Sequence, residues 1–320
     1  MTPHRLSIAF AAALSATGAP VLAAQYPERP IRMIVPFSAG GTADFAARIV
    51  GESLKRRLGQ EVVVDNRGGA GSALGTKLAA DATPDGYTLL ATNVGLAVNE
   101  TLRPDRGYVA LEALAPVSLM GVTPSVLVVN RDSPYKSVKD LLAAAKASPG
   151  KLPYGSAGAG SSTHLSMEYL KSLAGIDLLH VPYKGGGPAV TAMMGGEVRA
   201  VMSPVPTVFA HIKAGRVRAL AVSGAARDAT LPDLPTIAEA GVPGYEYTTW
   251  YGVLATGRTP AAIIERLNQA MVAALKEPDT AGKLQKTGLE PTPTTPREFG
   301  KLIAVEIAKW RKVVQDAGIQ

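Results

Sequence analysis

The sequence predicts an α/β protein with two lobes, each built on a mostly parallel, doubly wound sheet. Short apolar runs alternate with helix-period segments through most of the 320 residues, and such alternation is typical of parallel strands covered by helices. The alternation occurs twice, before and after residues 123–124, and the chain length suits two domains. We therefore expect a hinge and a central cleft between the lobes.

The first group of elements contains a long helix with one apolar side. Phe45, Ile49, Leu54 and Leu58 recur at helical spacing, and Gly59 ends the helix. The predicted strands of this group are 31–37, 61–65 and 87–92, and its helices are 42–58 and 72–80.

The second group repeats the alternation. Ser137 and Asp140 form a capping pair at the start of a helix. The predicted strands are 126–129, 152–155, 178–182, 198–202 and 217–223, and the helices are 137–147, 163–173, 188–194 and 205–214.

The last part of the chain has one extended run, 245–255, followed only by helical patterns at 260–275, 279–286 and 296–317. Helices without new strands indicate cladding on the first lobe rather than a third domain. The chain would then cross between the lobes near 123–124 and near 246–250. These boundaries predict a first lobe of 25–124 and 246–320 and a second lobe of 125–245, after an amino-terminal segment of 1–24.

That amino-terminal segment is predicted to be an export signal. Arg5 precedes an apolar, Ala-rich stretch at 6–16, and small residues lead up to Gln25. The alternative, a buried amphipathic helix, would need a polar face that this stretch lacks. We therefore expect cleavage after residue 23 or 24 and a periplasmic location. The sequence has no Cys, which excludes disulfides, thiolate nucleophiles, iron–sulfur clusters and a lipidated cysteine.

Charge and composition disfavour nucleic acid as a partner. Lys and Arg number 33 against 26 Asp and Glu, a net charge of +7, but aromatic residues are only 5% and the longest basic cluster is 55–57. The four His, at 4, 164, 180 and 211, lack metal-ligand spacing. We predict no metal and no cofactor.

Glycine-rich turns follow several predicted strands. Gly40 and Gly41 stand before a helix, where free N–H groups and the helix dipole favour an anion, and Thr42 is the expected N-cap. The alternative is an ordinary turn and cap. Similar turns lie at 66–72, 155–163 and 183–187. Because ligands bind at the carboxyl ends of strands in open α/β sheets, these turns together predict an anion site in the cleft.

Other chemistries fit the sequence poorly. Gly69 and Gly71 are followed by Leu74, which breaks the Rossmann pattern, and neither a P-loop nor a G-x-S-x-G elbow occurs. His164 lies beside several serines, but such a pair more often caps a helix than forms a dyad. Two questions stay open: Lys184 either pairs with a carboxylate or is solvated, and four aromatic residues either line a ligand pocket or pack the lobe interface, namely Tyr183, Tyr247, Trp250 and Tyr251.

Several segments in order along the chain resemble the Bug family, the extracytoplasmic solute-binding proteins of tripartite tricarboxylate transporters. They include Pro-Phe-Ser-Ala-Gly-Gly-Thr-Ala-Asp at 36–44, Asn-Arg-Gly-Gly-Ala-Gly-Ser at 66–72, Tyr-Gly-Ser-Ala-Gly-Ala-Gly-Ser-Ser-Thr-His-Leu at 154–165 and His-Val-Pro-Tyr-Lys-Gly at 180–185; 214–222 and 231–241 extend the match. The resemblance implies a two-lobed periplasmic-binding-protein fold of type II-like form. It also implies a small carboxylate ligand and delivery to a two-subunit membrane transporter.

The resemblance also implies the site residues. The carboxylate clamp would comprise Phe37, Ser38, Ala39, Gly40, Gly41, Thr42 and Asp44 from the first lobe, with Ser156, Ala157, Ser161 and His164 from the second. We add Asn93, Tyr183 and Ser203 to the predicted ligand-binding set.

The ligand and the way the protein acts stay partly open. Many members of the family place an Asp where this chain has Ser203-Pro204, which favours a ligand without an ammonium group. We expect a monomer that binds its ligand without covalent chemistry. The alternatives are an enzyme that acts on a carboxylic acid in the same cleft and a ligand-loaded partner of a membrane sensor.

Overall fold

The computed structural model describes residues 26–316, so the predicted export signal at 1–24 lies outside the described residues. The strands, numbered β1 to β10, are Ile31–Val35, Val62–Asn66, Thr88–Asn93, Leu114–Asn130, Pro153–Ser156, Leu179–Pro182, Ala200–Pro204, Val217–Val222, Thr248–Thr256 and Glu290–Pro291. The α-helices, numbered α1 to α11, are Thr42–Leu58, Ala73–Ala80, Gly95–Leu102, Ala110–Ala113, Val138–Ala147, Ser162–Ala174, Gly186–Met194, Val205–Lys213, Ala261–Lys276, Pro278–Gln285 and Pro296–Asp316. A 3₁₀ turn spans Ala70–Ser72.

One long strand joins two groups of strands. The order is β2-β1-β3-β9-β4-β7-β5-β6, with β8 and β10 also paired to β4. Residues 114–124 of β4 pair with β9, whereas 125–130 pair with β7 and β8. We call β1 to β3, β9 and β10 with their helices the first lobe, and β5 to β8 with theirs the second lobe.

Both sheets are mixed. The pairs β1–β2, β1–β3, β5–β6 and β5–β7 are parallel, as expected for strands linked by helices. The pairs that involve β4 or β9 are antiparallel. The antiparallel pairs therefore all involve one of the two strands through which the chain passes between the lobes.

The strand β4 is much longer than the 126–129 predicted from sequence. Pro116, Gly121 and Pro124 interrupt the apolar alternation over 114–125 and favour turns. The structure keeps them in a strand through register shifts at Pro116/Ser118 and Leu119/Gly121, which are β-bulges. The helix α3 was not predicted, because no side chain caps its first turn and the start signal is missing.

Helices cover both faces of the sheets. Along β1, Val35 packs in a core with Leu54 of α1 and Leu267 of α9, while Ile34 belongs to a second core on the other face. That second core includes Phe299 of α11 and continues into the second lobe through Leu127 and Met202. This second core is one continuous apolar cluster that extends through both lobes. The carboxyl ends of β1, β3, β5 and β7 meet at a cleft between the lobes.

The two chain segments that pass between the lobes are tied together at Ser223. The Ser125 N–H donates to Ser223 Oγ at 2.6 Å, and that hydroxyl donates to the Tyr247 carbonyl at 2.5 Å. The Ser223 N–H donates to the Ser125 carbonyl at 2.8 Å, and the Tyr247 N–H donates to the Ser223 carbonyl at 2.7 Å. A single buried serine therefore bonds to both segments.

Candidate functional site

A small cavity lies where the strand ends of the two lobes meet. Its volume is about 20 Å³, roughly enough for one water molecule. None of the lining residues has a charged side chain. They are Phe37, Gly41, Thr42, Ala43, Asn93, Ala157, Ser162, Thr163, Gly186, Pro204, Thr207 and Tyr251.

The first turns of four helices converge on this cavity. The helices are α1, α6, α7 and α8, and their contributions to the lining begin at Thr42, Ser162, Gly186 and Pro204. Free N–H groups and the positive ends of helix dipoles point outward from such first turns. Because the lining holds no cationic or acidic side chain, a ligand in the cavity would contact mainly backbone groups and hydroxyls.

The turn before α1 is fixed by a residue that does not line the cavity. Gly40 has φ +85°, a left-handed conformation that favours glycine. The carboxylate of Asp44 accepts the Gly40 N–H at 3.1 Å and the Arg48 Nε–H at 2.9 Å. Asp44 is buried and holds the turn in shape.

Thr42 is not the N-cap that the sequence predicted. Gly41 occupies the N-cap position, and no side chain caps the helix. The Thr42 N–H donates to Thr207 Oγ1 at 3.0 Å, and the two hydroxyls lie 2.9 Å apart. The Thr42 side chain therefore faces the second lobe instead of its own helix.

Tyr251 contributes a buried phenol to the cavity wall. Burial raises the pKa of Tyr251 to about 12, while hydrogen bonding by the side chains of Thr42, Asn93 and Ser162 acts to lower it. The phenol is therefore neutral and can donate a hydrogen bond. Asn93 links the lobes, because its Nδ2–H donates to Ser162 Oγ at 3.4 Å.

Three predicted residues of the second lobe lie behind the cavity. Ser156 Oγ is 2.6 Å from His180 Nε2, and Ser161 caps α6 by accepting the His164 N–H at 3.4 Å. His164 is buried and contacts the turn from below, where its Nδ1 accepts the Gly160 N–H at 3.2 Å. The structure brings Ala157 to the cavity but keeps Ser156, Ser161 and His164 off its wall.

Other predicted residues lie at the cleft rim or inside the sheet. Ala39, Gly40 and Tyr183 line a second, open groove of about 570 Å³, which adjoins the cavity at Thr207. Ser38 donates its N–H and hydroxyl to the Lys184 carbonyl at 2.9 and 3.1 Å. The Lys184 side chain is exposed.

Ser203 lies inside the sheet of the second lobe. It is fully buried, and its Oγ has no hydrogen-bond partner within the described part of the chain.

Ala43, Pro204 and Thr207 were not predicted, and Tyr251 was left undecided. The predicted glycine-rich turns 155–163 and 183–187 contain Ser162, Thr163 and Gly186, but these three were not named as ligand-binding residues. Pro204 to Thr207 follows β7 and opens α8, so the same rule of strand ends and helix starts could have found it. This turn contains no glycine, whereas the prediction relied on glycine-rich turns.

Within residues 26–316 no helix is long and apolar enough to cross a membrane. Nor does this part of the chain bring three metal-ligating acidic or histidine side chains together.

Comparison with known proteins identifies the family. Residues 46–319 match the family described as "Tripartite tricarboxylate transporter family receptor". Protein BugT of Bordetella pertussis is 40% identical over 308 residues, which cover 96% of this chain and 94% of the relative.

Three solved structures share the fold along nearly their whole length. Periplasmic binding protein BugD superposes with a TM-score of 0.89 at 34% identity over 92% of this chain and 99% of its own. Rpa4515 of R. palustris with adipate superposes with a TM-score of 0.88 at 36% identity, over 92% of this chain and 99% of its own. MatC of Rhodopseudomonas palustris with bound malate superposes with a TM-score of 0.86 at 30% identity, over 90% of this chain and 100% of its own. They confirm the predicted two-lobed periplasmic-binding-protein fold.

The matching family is described as a receptor family, and BugD is named a periplasmic binding protein. The chain belongs to the Bug-type receptor family of tripartite tricarboxylate transporters, a family of periplasmic solute-binding proteins.

Proposed function

We propose that the protein binds a small organic carboxylate in the cavity between its lobes and delivers it to a two-subunit membrane transporter. The observation that carries this proposal is the convergence of four helix first turns on a lining without charged side chains. Backbone N–H groups at helix starts suit a carboxylate, and the lining offers no acidic group for an ammonium. Adipate and malate, the ligands named for two similar structures, belong to this chemical class.

Binding requires the lobes to separate. A six-carbon dicarboxylate is far larger than the cavity of about 20 Å³. The direct contacts that must open include those between Thr42 and Thr207, between Ser38 and Lys184 and between Asn93 and Ser162. The proposed moving bodies are 26–124 with 246–316, and 125–245, which form a cleft that opens and closes about the crossing segments.

A panel of carboxylates tests the binding function. Adipate, malate and monocarboxylates of the same lengths are titrated by calorimetry and screened by thermal unfolding, with the uncharged diamides as controls. A ligand at a hundred times its Kd should raise the free energy of unfolding by about 2.7 kcal/mol. Ligand recovered unchanged after incubation separates binding from turnover. If no carboxylate stabilises the protein more than its diamide does, this function is wrong.

Export and delivery need separate measurements. The native host should release a mature chain that begins near residue 24 or 25 into its periplasm, as a single monomeric species. Carboxylate uptake by vesicles that contain the two membrane subunits should depend on added protein. Uptake that is equally fast without it would contradict the delivery role.

Thr42→Val is expected to weaken carboxylate binding by roughly ten- to a hundredfold, because a hydrogen bond to a charged group contributes about 1.5–3 kcal/mol. Valine keeps the shape of threonine but lacks the hydroxyl. Thr42→Ser is the matched control and should stay near wild type. Calorimetric titration measures both variants, and equal affinities for Val and Ser would place the anion away from this hydroxyl.

A further inference from the structure

Two histidines lie stacked beneath the glycine-rich turn of the second lobe. The rings of His164, on α6, and His180, on β6, are 4.1 Å apart between centroids and 24° from parallel. His180 also stacks on Tyr154 of β5 at 5.0 Å. His164 is 2% exposed, so its ring has almost no contact with water.

Each histidine reaches one glycine of the turn. The Gly160 N–H donates directly to His164 Nδ1 at 3.2 Å. The Gly158 N–H donates to Ser156 Oγ at 3.0 Å, and Ser156 Oγ is 2.6 Å from His180 Nε2. Gly158 and Gly160 have φ +115° and +80°, so both backbone units are held in conformations that favour glycine.

The contact geometry specifies which nitrogen of His164 carries the proton. A ring nitrogen that accepts an N–H carries no proton, so His164 has its proton on Nε2, which lies 3.9 Å from Glu168 Oε1. Glu168 Oε1 in turn accepts the Tyr154 hydroxyl at 2.5 Å and the Lys171 ammonium at 2.9 Å. Glu168 and Lys171 of α6 and Tyr154 of β5 are thus the titratable groups that face the pair, and Lys171 balances the charge of Glu168.

The anchored turn supplies part of the cavity wall. Ala157 lines the cavity, and its N–H is held by Thr163 Oγ1 at 2.7 Å. Ser162, at the other end of the turn, bonds across the cleft to Asn93. A shift of Gly158 or Gly160 would therefore displace wall residues on both sides of the turn.

We propose that His164 and His180 are positioning residues: they hold the 157–162 turn in its ligand-binding shape and do not touch the ligand. This inference rests on the proposed function, because it concerns how the carboxylate site is kept in place. The role differs from the direct ligand contact that family resemblance suggested for His164.

A matched pair of variants isolates the anchoring hydrogen bond. Asn and Leu have nearly the same shape, but the Oδ1 of Asn can accept the Gly160 N–H at the position of His Nδ1. His164→Asn should bind the tightest carboxylate of the panel, adipate or malate, within threefold of wild type. His164→Leu should bind it at least tenfold more weakly.

A second measurement needs no ligand. Amide hydrogen exchange of Gly160, followed by NMR on the full chain, should speed up at least tenfold in His164→Leu and stay near wild type in His164→Asn. At the other ring, His180→Gln should preserve the Gly158 protection and His180→Met should lose it. This measurement decides the anchoring even if a carboxylate titration fails.

The outcomes separate the two proposals. If wild-type protein binds no carboxylate while the exchange pattern appears as expected, the proposed function fails but the anchoring stands. If wild type binds and the Asn and Leu variants bind equally, the positioning role is wrong. Loss of binding in both variants with unchanged Gly160 exchange would instead indicate direct ligand contact by His164.

Discussion

Gly71→Ala is expected to abolish tight carboxylate binding while the chain still folds. Gly71 lies on the first lobe with φ +59°, and a Cβ there would overlap the carbonyl oxygen of Ala159 on the second lobe. The turn cannot retreat easily, because the Gly71 carbonyl accepts the Asn99 Nδ2–H at 3.0 Å. We expect at least a hundredfold loss of affinity, about 2.7 kcal/mol, because the closed form becomes rare.

Gly175→Ala is the matched control for the backbone. Its φ of +60° equals that of Gly71 within a degree, but its added Cβ has no heavy atom within 4 Å. Both variants should lose similar stability from backbone strain, whereas only Gly71→Ala should lose affinity and show a larger radius of gyration by small-angle scattering. Equal affinities in the two variants would mean that the lobes need not meet at Ala159.

Acidification from pH 6.5 to 4.5 is expected to destabilise the fold through the stacked histidines. Burial, reinforced by the neighbouring His180 and Lys171, lowers the pKa of His164 to about 3. Burial also lowers the pKa of His180 to about 4, although Glu168 acts to raise it. As the pH falls below about 6.5, the unfolded chain takes up protons on these histidines that the folded chain does not bind. The stabilisation that the two neutral histidines give the folded state is therefore complete above pH 6.5 and declines as the pH falls towards their folded pKa values.

The expected decline is at most about 1.4 kcal/mol per pH unit for each histidine. Carboxylates affect the pH dependence of stability mainly at lower pH. Hydrogen bonding to Ser53 lowers the pKa of Glu277 to about 2, although desolvation opposes this shift. The stabilisation from Glu277 is therefore lost only as the pH falls below its unfolded pKa near 4.3. Urea unfolding at several pH values gives the slope. The double variant His164→Asn, His180→Gln should show a flatter slope between pH 6.5 and 4.5; a slope parallel to wild type would contradict the assignment.

Features with local signals could be predicted from the sequence. The helix that starts after Ser137 has the predicted capping box, in which Ser137 and Asp140 each bond to the other's backbone. Gly59 ends α1 with φ +73°, as expected for a helix C-cap. Apolar runs that alternate with helical segments predicted most strands of both lobes. A strand that is buried on both faces of a sheet is a continuous run of apolar residues such as Val, Ile and Leu.

The composition of the cavity wall could be predicted only in part. Phe37, Gly41, Thr42, Asn93 and Ala157 were predicted from strand ends and family resemblance, and all five line the cavity. Thr207 was missed because its turn contains no glycine and because its contact with Thr42, 165 residues away in the chain, leaves no local signal. Pairing across a cleft depends on how the lobes meet, and a single chain segment carries no signal of that arrangement. The N-cap prediction for Thr42 failed for the same reason.

The serine that joins the crossing segments limits the kind of motion that the lobes can make. Sliding one lobe against the other would stretch the two bonds between Ser223, in the second lobe, and Tyr247, in the segment that returns to the first lobe. Each broken bond would leave buried polar groups unpaired at a cost of about 1–3 kcal/mol. Rotation about an axis through this point leaves those bonds intact. If the lobes open about this point, as the proposed function requires, carboxylates of different lengths would be accommodated by different angles of opening rather than by sliding of the lobes.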